Sequence, residues 1–162
     1  MRPAIIGVLI GALLLTGGTG SISGSATEQP ANESPSAEGV VLKSVMELTL
    51  GECVNDAKAP EGADAEVLAV VDCATPHDSE LYAILALENS SFPGEQALMD
   101  EGSTRCAAVF GDFVGVDFRS SVLDFHFYHP TASSWVDGDR SIYCMAIDPG
   151  LQVTGSLLGA KK

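Results

Sequence analysis

FPGEQALMDEGSTRCAAVFGDF, running from Phe92 to Phe113, decides the fold. Phe92-Pro93 introduces it. From Gly94 onward Leu98, Gly102, Cys106, Val109, Phe110 and Phe113 recur at steps of three and four, the spacing that gathers side chains on one stripe of a helix. Asp100, Glu101 and Arg105 occupy other faces and are expected in solvent. The stripe can lie on a sheet, and the flanking chain supplies strand signals. Val45 to Leu50, Glu66 to Val71 and Leu81 to Leu87 precede the helix, and Leu123 to Tyr128 and Ile142 to Ile147 follow it. In Leu123 to Tyr128, Leu123, Phe125 and Phe127 share a face, opposite Asp124, His126 and Tyr128. That alternation predicts one core face and one wet face. Three strands, a helix and two strands contain no repeated βαβ unit. The fold class is therefore α+β: a mostly antiparallel sheet of about five strands with one main helix packed on it.

Four cysteines punctuate this pattern: Cys53, Cys73, Cys106 and Cys144. Each stands alone rather than in the paired spacings of zinc sites, and the count is even, so two disulfides are expected. Three pairings are open to four cysteines. We favour Cys53 with Cys73 and Cys106 with Cys144, because each pair joins successive elements placed to pack together. Each bridge is worth on the order of 3 kcal/mol through restriction of the unfolded chain.

Upstream, Met1-Arg2-Pro3 precedes an apolar run from Ala4 to Leu15, and no further charge appears before Glu28. A short basic start, an apolar core and small residues make a secretory signal, with cleavage expected after Gly24-Ser25-Ala26. The alternative is an uncleaved anchor over residues 4–22. Leu15-Thr16-Gly17 resembles the start of a lipoprotein box, but Gly18 stands where the lipid-accepting cysteine belongs. Residues 27–39 offer nothing bulky to bury and read as a disordered linker. Residues 40–158 then form the one domain, without internal repeats.

The chain carries a formal charge of −14, and residues 1–26 contribute only Arg2 to its cations. Such a polyanion is repelled by phosphate backbones and anionic headgroups. Nucleic-acid binding is excluded on that ground, and membrane contact is limited to a retained N-terminal segment. No Asp-x-Asp-x-Asp-Gly calcium loop, nucleophile elbow or glycine-rich phosphate loop occurs in the domain.

Two polar clusters are candidate binding sites. In Pro76-His77-Asp78, His77 reads either as a general base oriented by Asp78 or Glu80, or as a turn residue bonded to a loop carbonyl; the turn is favoured. Trp135 and Arg140 flank a polar turn, Val136-Asp137-Gly138-Asp139. They read either as a core anchor with Arg140 paired to a carboxylate, or as an exposed binding pair. Thr131 is placed to cap a short helix before Trp135. His126 and His129 fall on opposite faces of a strand and do not converge on one ion. No metal, cofactor or catalytic set is assigned.

Taken together, Gly51-Glu52-Cys53, Cys73-Ala74-Thr75-Pro76-His77-Asp78, Phe92-Pro93-Gly94-Glu95, Cys106, Pro130-Thr131, Ser134-Trp135, Gly138-Asp139-Arg140 and Cys144 form an ordered set. The set resembles the septum-formation domain family of actinobacterial envelope proteins, over about Glu47 to Ile147. Gly-Glu-Cys replaces the expected Gly-Asp-Cys. The resemblance implies a place in the cell envelope and a link to division, with no known reaction. A non-enzymatic, exported interaction domain is the expectation, with an envelope protein or cell-wall component as partner. A hydrolase built on His77 and a small-ligand or cation binder are the alternatives.

Overall fold

In the computed structural model, residues 39–56 and 67–162 are described. The signal, the anchor alternative and all of the linker but its last residue, Gly39, lie outside them. The sheet strands are β1 (Val41–Lys43), β2 (Cys53–Asn55), β3 (Leu68–Val71), β4 (Ser79–Ala86), β5 (Asp124–Tyr128) and β6 (Ser141–Ile147). The helices are α1 (Glu95–Val114) and α2 (Ala132–Val136). All pairings are antiparallel, in the order β1-β3-β2-β4-β6-β5. An α+β domain with one main helix and two disulfides is thus what the chain builds.

The longest pairing joins β4 to β6, from Ser79↔Ile147 to Ala86↔Ser141, with an irregularity between Leu81 and Ala83. Helix α1 leads from β4 to β5 and covers one face. Its buried residues are Leu98, Gly102, Cys106, Phe110 and Val114, a strict four-residue stripe. Gly102 is there because the helix lies close to β5. A Cβ at this position would come within 3.0 Å of three atoms of the Phe127 ring. The helix ends at Gly115, which adopts φ 88° and donates its N–H to the Gly111 carbonyl. Between helix and sheet, Tyr82 meets Phe110 edge to face at 5.6 Å, and its hydroxyl donates to the Cys106 carbonyl at 2.9 Å.

The opposite face differs in part from expectation. Asp124 is exposed and His126 half-exposed there as expected, but Tyr128 is buried in a second core cluster that includes Leu48, Val54, Leu81 and Met145. Leu48 reaches it because Val45 to Leu50 is not a strand. Val45–Glu47 forms a 3₁₀ turn, in which the Glu47 carboxylate accepts the Ser44 N–H at 2.9 Å. Next, the Glu52 carboxylate accepts the Thr49 N–H at 2.9 Å. These local side-chain bonds outcompete a ladder that had no partner strand to supply it. The ladder forms on either side instead, in the three-residue β1 and β2.

Candidate functional site

The residues singled out by sequence fall in two places, and a third cluster joins them. The first is the segment between β3 and β4. Cys53, at the start of β2, is bonded to Cys73, two residues past β3, with Cα atoms 5.2 Å apart. Cys53 is fully buried while Cys73 is half-buried. Beyond the disulfide, His77 is 0 % exposed, and its Nδ1 lies 2.9 Å from the Thr75 carbonyl. A carbonyl only accepts, so Nδ1 carries the proton and Nε2 presents its lone pair inward. Nε2 has no hydrogen-bond partner.

The C-terminal chain seals this cluster. His77 and Val153 exchange backbone hydrogen bonds of 3.0 and 2.9 Å, and Gly155 donates to the Cys73 carbonyl. Glu80 is 2 % exposed. One of its oxygens accepts the Ser156 hydroxyl at 2.7 Å and the other the Leu157 N–H at 2.6 Å. Asp78 accepts from the Gln152 amide at 3.0 Å. The carboxylates named as possible partners of His77 therefore serve to hold residues 152–157, while His77 holds Val153 through its backbone. Farther on, Gly159 and Lys161 donate to the Phe113 and Val114 carbonyls and close the end of α1.

Trp135 and Arg140 form the second place. Thr131 caps α2 by accepting the Ser134 N–H at 3.1 Å, which sets Trp135 pointing inward. Its indole is 6 % exposed and meets Phe92 edge to face at 5.8 Å. Arg140 stacks its guanidinium 3.7 Å from the ring centroid. Where a carboxylate partner was expected, it donates to the Trp135 and Asp139 carbonyls, both at 2.7 Å. Of the two readings, the core anchor holds for Trp135 and the exposed binding pair does not, while Arg140 lies over the ring as a cation–π lid instead of pairing with a carboxylate.

The third cluster was missed. Asp56 follows β2 and is buried, yet its Oδ2 accepts the Tyr128 hydroxyl at 2.8 Å and the His126 Nε2 at 3.1 Å. Burial pushes the Asp56 carboxyl up, but His126, through hydrogen bond and charge, and the Tyr128 hydroxyl help to outweigh it, leaving it below its ordinary value of 3.8. Burial and the Asp56 charge push the Tyr128 hydroxyl well up, so it remains a donor. His126 itself keeps a partly exposed edge. Its neighbour His129 turns to the Pro130 carbonyl instead, so the two imidazoles have separate partners.

The family profile for septum formation matches residues 22–144. The chain belongs to the septum formation family. No curated protein and no solved structure matches it. Membership gives the domain a cell-division and envelope-related role.

Within this septum formation domain the elements that the match spans run from β1 into β6, while the sealing residues 152–157 lie beyond it. The Glu52 that departs from Gly-Asp-Cys has work its longer side chain makes possible, pairing with Lys43 while accepting the Thr49 N–H. Burial raises its pKa, but Lys43 and Thr49 bring it below the ordinary 4.5. Asp56 left no signal in the sequence because its partners on β5 lie about 70 residues away, with two strands, β4 and β6, in between. Among the described residues no helix is long and apolar enough to cross a membrane.

Proposed function

We propose that this septum formation domain works outside the cytoplasm as a binding module at the division site, without chemistry of its own. The observation that carries the reading is a family-matched domain closed by two disulfides, Cys53–Cys73 and Cys106–Cys144. Disulfides persist where the compartment is oxidising, which supports export through the N-terminal signal. Binding is favoured over hydrolysis because His77 is closed from solvent by the Val153 bridge and cannot meet a substrate in this state. The surface is acidic, so a partner with cationic groups, on an envelope protein or a cell-wall component, complements it.

Crosslinking in growing cells tests the reading, with identification of captured partners and imaging of a tagged full chain. Septal enrichment and a partner captured from the envelope are expected. Uniform distribution with no capture above an irrelevant exported control would reject it. Export has its own check: mass spectrometry of the mature chain should find Thr27 at the N-terminus, and retention of Met1 or Arg2 would point to the anchor.

A further inference from the structure

Within the sealed cluster, Cys53 Sγ, a His77 ring nitrogen and a Glu80 carboxylate oxygen lie within 4.8 Å of one another, all three residues buried. Thiolate, imidazole and carboxylate are the donors that zinc takes. With the disulfide formed, the sulfur is a neutral atom shared with Cys73 and supplies no charge. The other two donors are nevertheless set. His77 has its Nδ1–H fixed on the Thr75 carbonyl, the way a ligating histidine is oriented, and its Nε2 lone pair is buried with no partner. Glu80 is fixed by Ser156 and Leu157, and each carboxylate oxygen keeps a second lone pair.

We propose that reduction of the Cys53–Cys73 disulfide converts this cluster into a binding site for a zinc-class divalent cation, ligated by the Cys53 thiolate, His77 Nε2 and the Glu80 carboxylate. The reductant is a dithiol. One of its thiolates attacks the half-buried Cys73 Sγ, and Cys53 leaves with the bonding electron pair. The second thiol of the reductant then displaces Cys73, closing the reductant's own disulfide, so the dithiol is oxidised by two electrons and the protein disulfide reduced by two. Its two protons pass to the two cysteines. Binding of the cation displaces the proton of Cys53 to solvent.

Charge explains why a cation follows. Deprotonation of the Cys53 thiol beside Glu80 would put two anions and an imidazole lone pair in one closed space, so the thiolate forms there only together with a cation. A divalent ion neutralises both anions and gives Nε2 the partner it lacks. Cys73 Sγ, bonded to Cys53 before reduction, is the neighbour at hand for the fourth position. The site would thus bind metal only in the reduced state. This proposal stands apart from the binding-module reading and does not depend on it.

Cobalt(II) is the probe, because a thiolate ligand gives it a charge-transfer absorption that oxygen and nitrogen ligands do not. The full chain is treated with a phosphine-reduced dithiol until alkylation mapping shows Cys53 and Cys73 free and Cys106–Cys144 intact, freed of reductant, and titrated. One cobalt per chain with thiolate absorption is expected, absent in the oxidised chain, and displaced by zinc. His77→Ala and Glu80→Gln should each weaken binding by at least about 10-fold. Cys73→Ser supplies the same test with no reductant, since it leaves Cys53 as a free thiol. Equal cobalt binding in the oxidised chain, no thiolate absorption in the folded Cys73→Ser chain, or affinity unchanged by His77→Ala would overturn the proposal. A Cys73→Ser chain that is unfolded and that metal fails to refold, read by circular dichroism, would overturn it as well.

Discussion

The two disulfides close the same domain in opposite surroundings. Cys106 on α1 and Cys144 on β6 are both fully buried within the aromatic and aliphatic cluster under the helix. Cys53 and Cys73 join β2 to the chain after β3, one sulfur sealed and the other half-buried, beside His77 and Glu80. The first pair is surrounded by side chains that have nothing to exchange with a reactive sulfur. The second adjoins a buried imidazole, a buried carboxylate and solvent. Sulfur–sulfur bonds of the same kind therefore serve a permanent joint at one end of the sheet and an accessible one at the other.

Removing the joints separates them by size. Replacing both Cys106 and Cys144 by Ala should cost about 4 kcal/mol in unfolding free energy, since the bridge spans 38 residues and its loss also opens the core. The corresponding change at Cys53 and Cys73, spanning 20 residues, should cost about 3 kcal/mol. Denaturant unfolding of both variants checks the order, and a larger loss at Cys53–Cys73 would break the comparison.

Gly102→Ala probes the helix side without touching a cysteine. The added methyl gains about 1 kcal/mol of helix propensity but meets the Phe127 ring, so a net loss of about 1–2 kcal/mol is expected. A stabilised variant would mean that β5 yields. Asp56→Asn probes the other face, removing a buried charge that two donors serve, and should cost about 2 kcal/mol at neutral pH. Because the folded carboxyl sits below its ordinary 3.8, the folded state takes up its proton less readily than the unfolded state. Its contribution is complete above that value and is lost as pH falls through the depressed folded one. The gap between wild type and Asp56→Asn should accordingly narrow in acid urea titrations as the folded carboxyl takes up its proton. The smallest effect belongs to Glu52→Asp, which installs the residue that the resemblance led us to expect but shortens the reach to Lys43. This partly exposed pair is worth less than about 1 kcal/mol.

Particular elements show what sequence can carry. The stripe of α1, the faces of β5 and the long β4 and β6 were legible because their periodicity records a single packing surface. The cysteine pairing followed from the same elements. Val45 to Leu50 misled because apolar alternation says nothing about whether a partner strand is adjacent, and Ser44, Glu47 and Glu52 decided the matter locally. Tyr128 was placed on the correct face but read as wet, since the second cluster that covers it is assembled from distant segments. At the candidate sites, the Thr75 bond of His77 was within reach of turn chemistry. Its seal by Val153 and the service of Glu80 to Ser156 and Leu157 were not, because they join residues 76 and 77 positions apart.

Graded reduction of the native full chain tests the contrast between the two joints most directly, with free cysteines alkylated at each dithiol concentration and identified by peptide mass spectrometry. Cys53 and Cys73 should label together first, while Cys106 and Cys144 remain bonded until the chain unfolds. Labelling of Cys106 and Cys144 before or together with Cys53 and Cys73 in the folded protein would contradict the account.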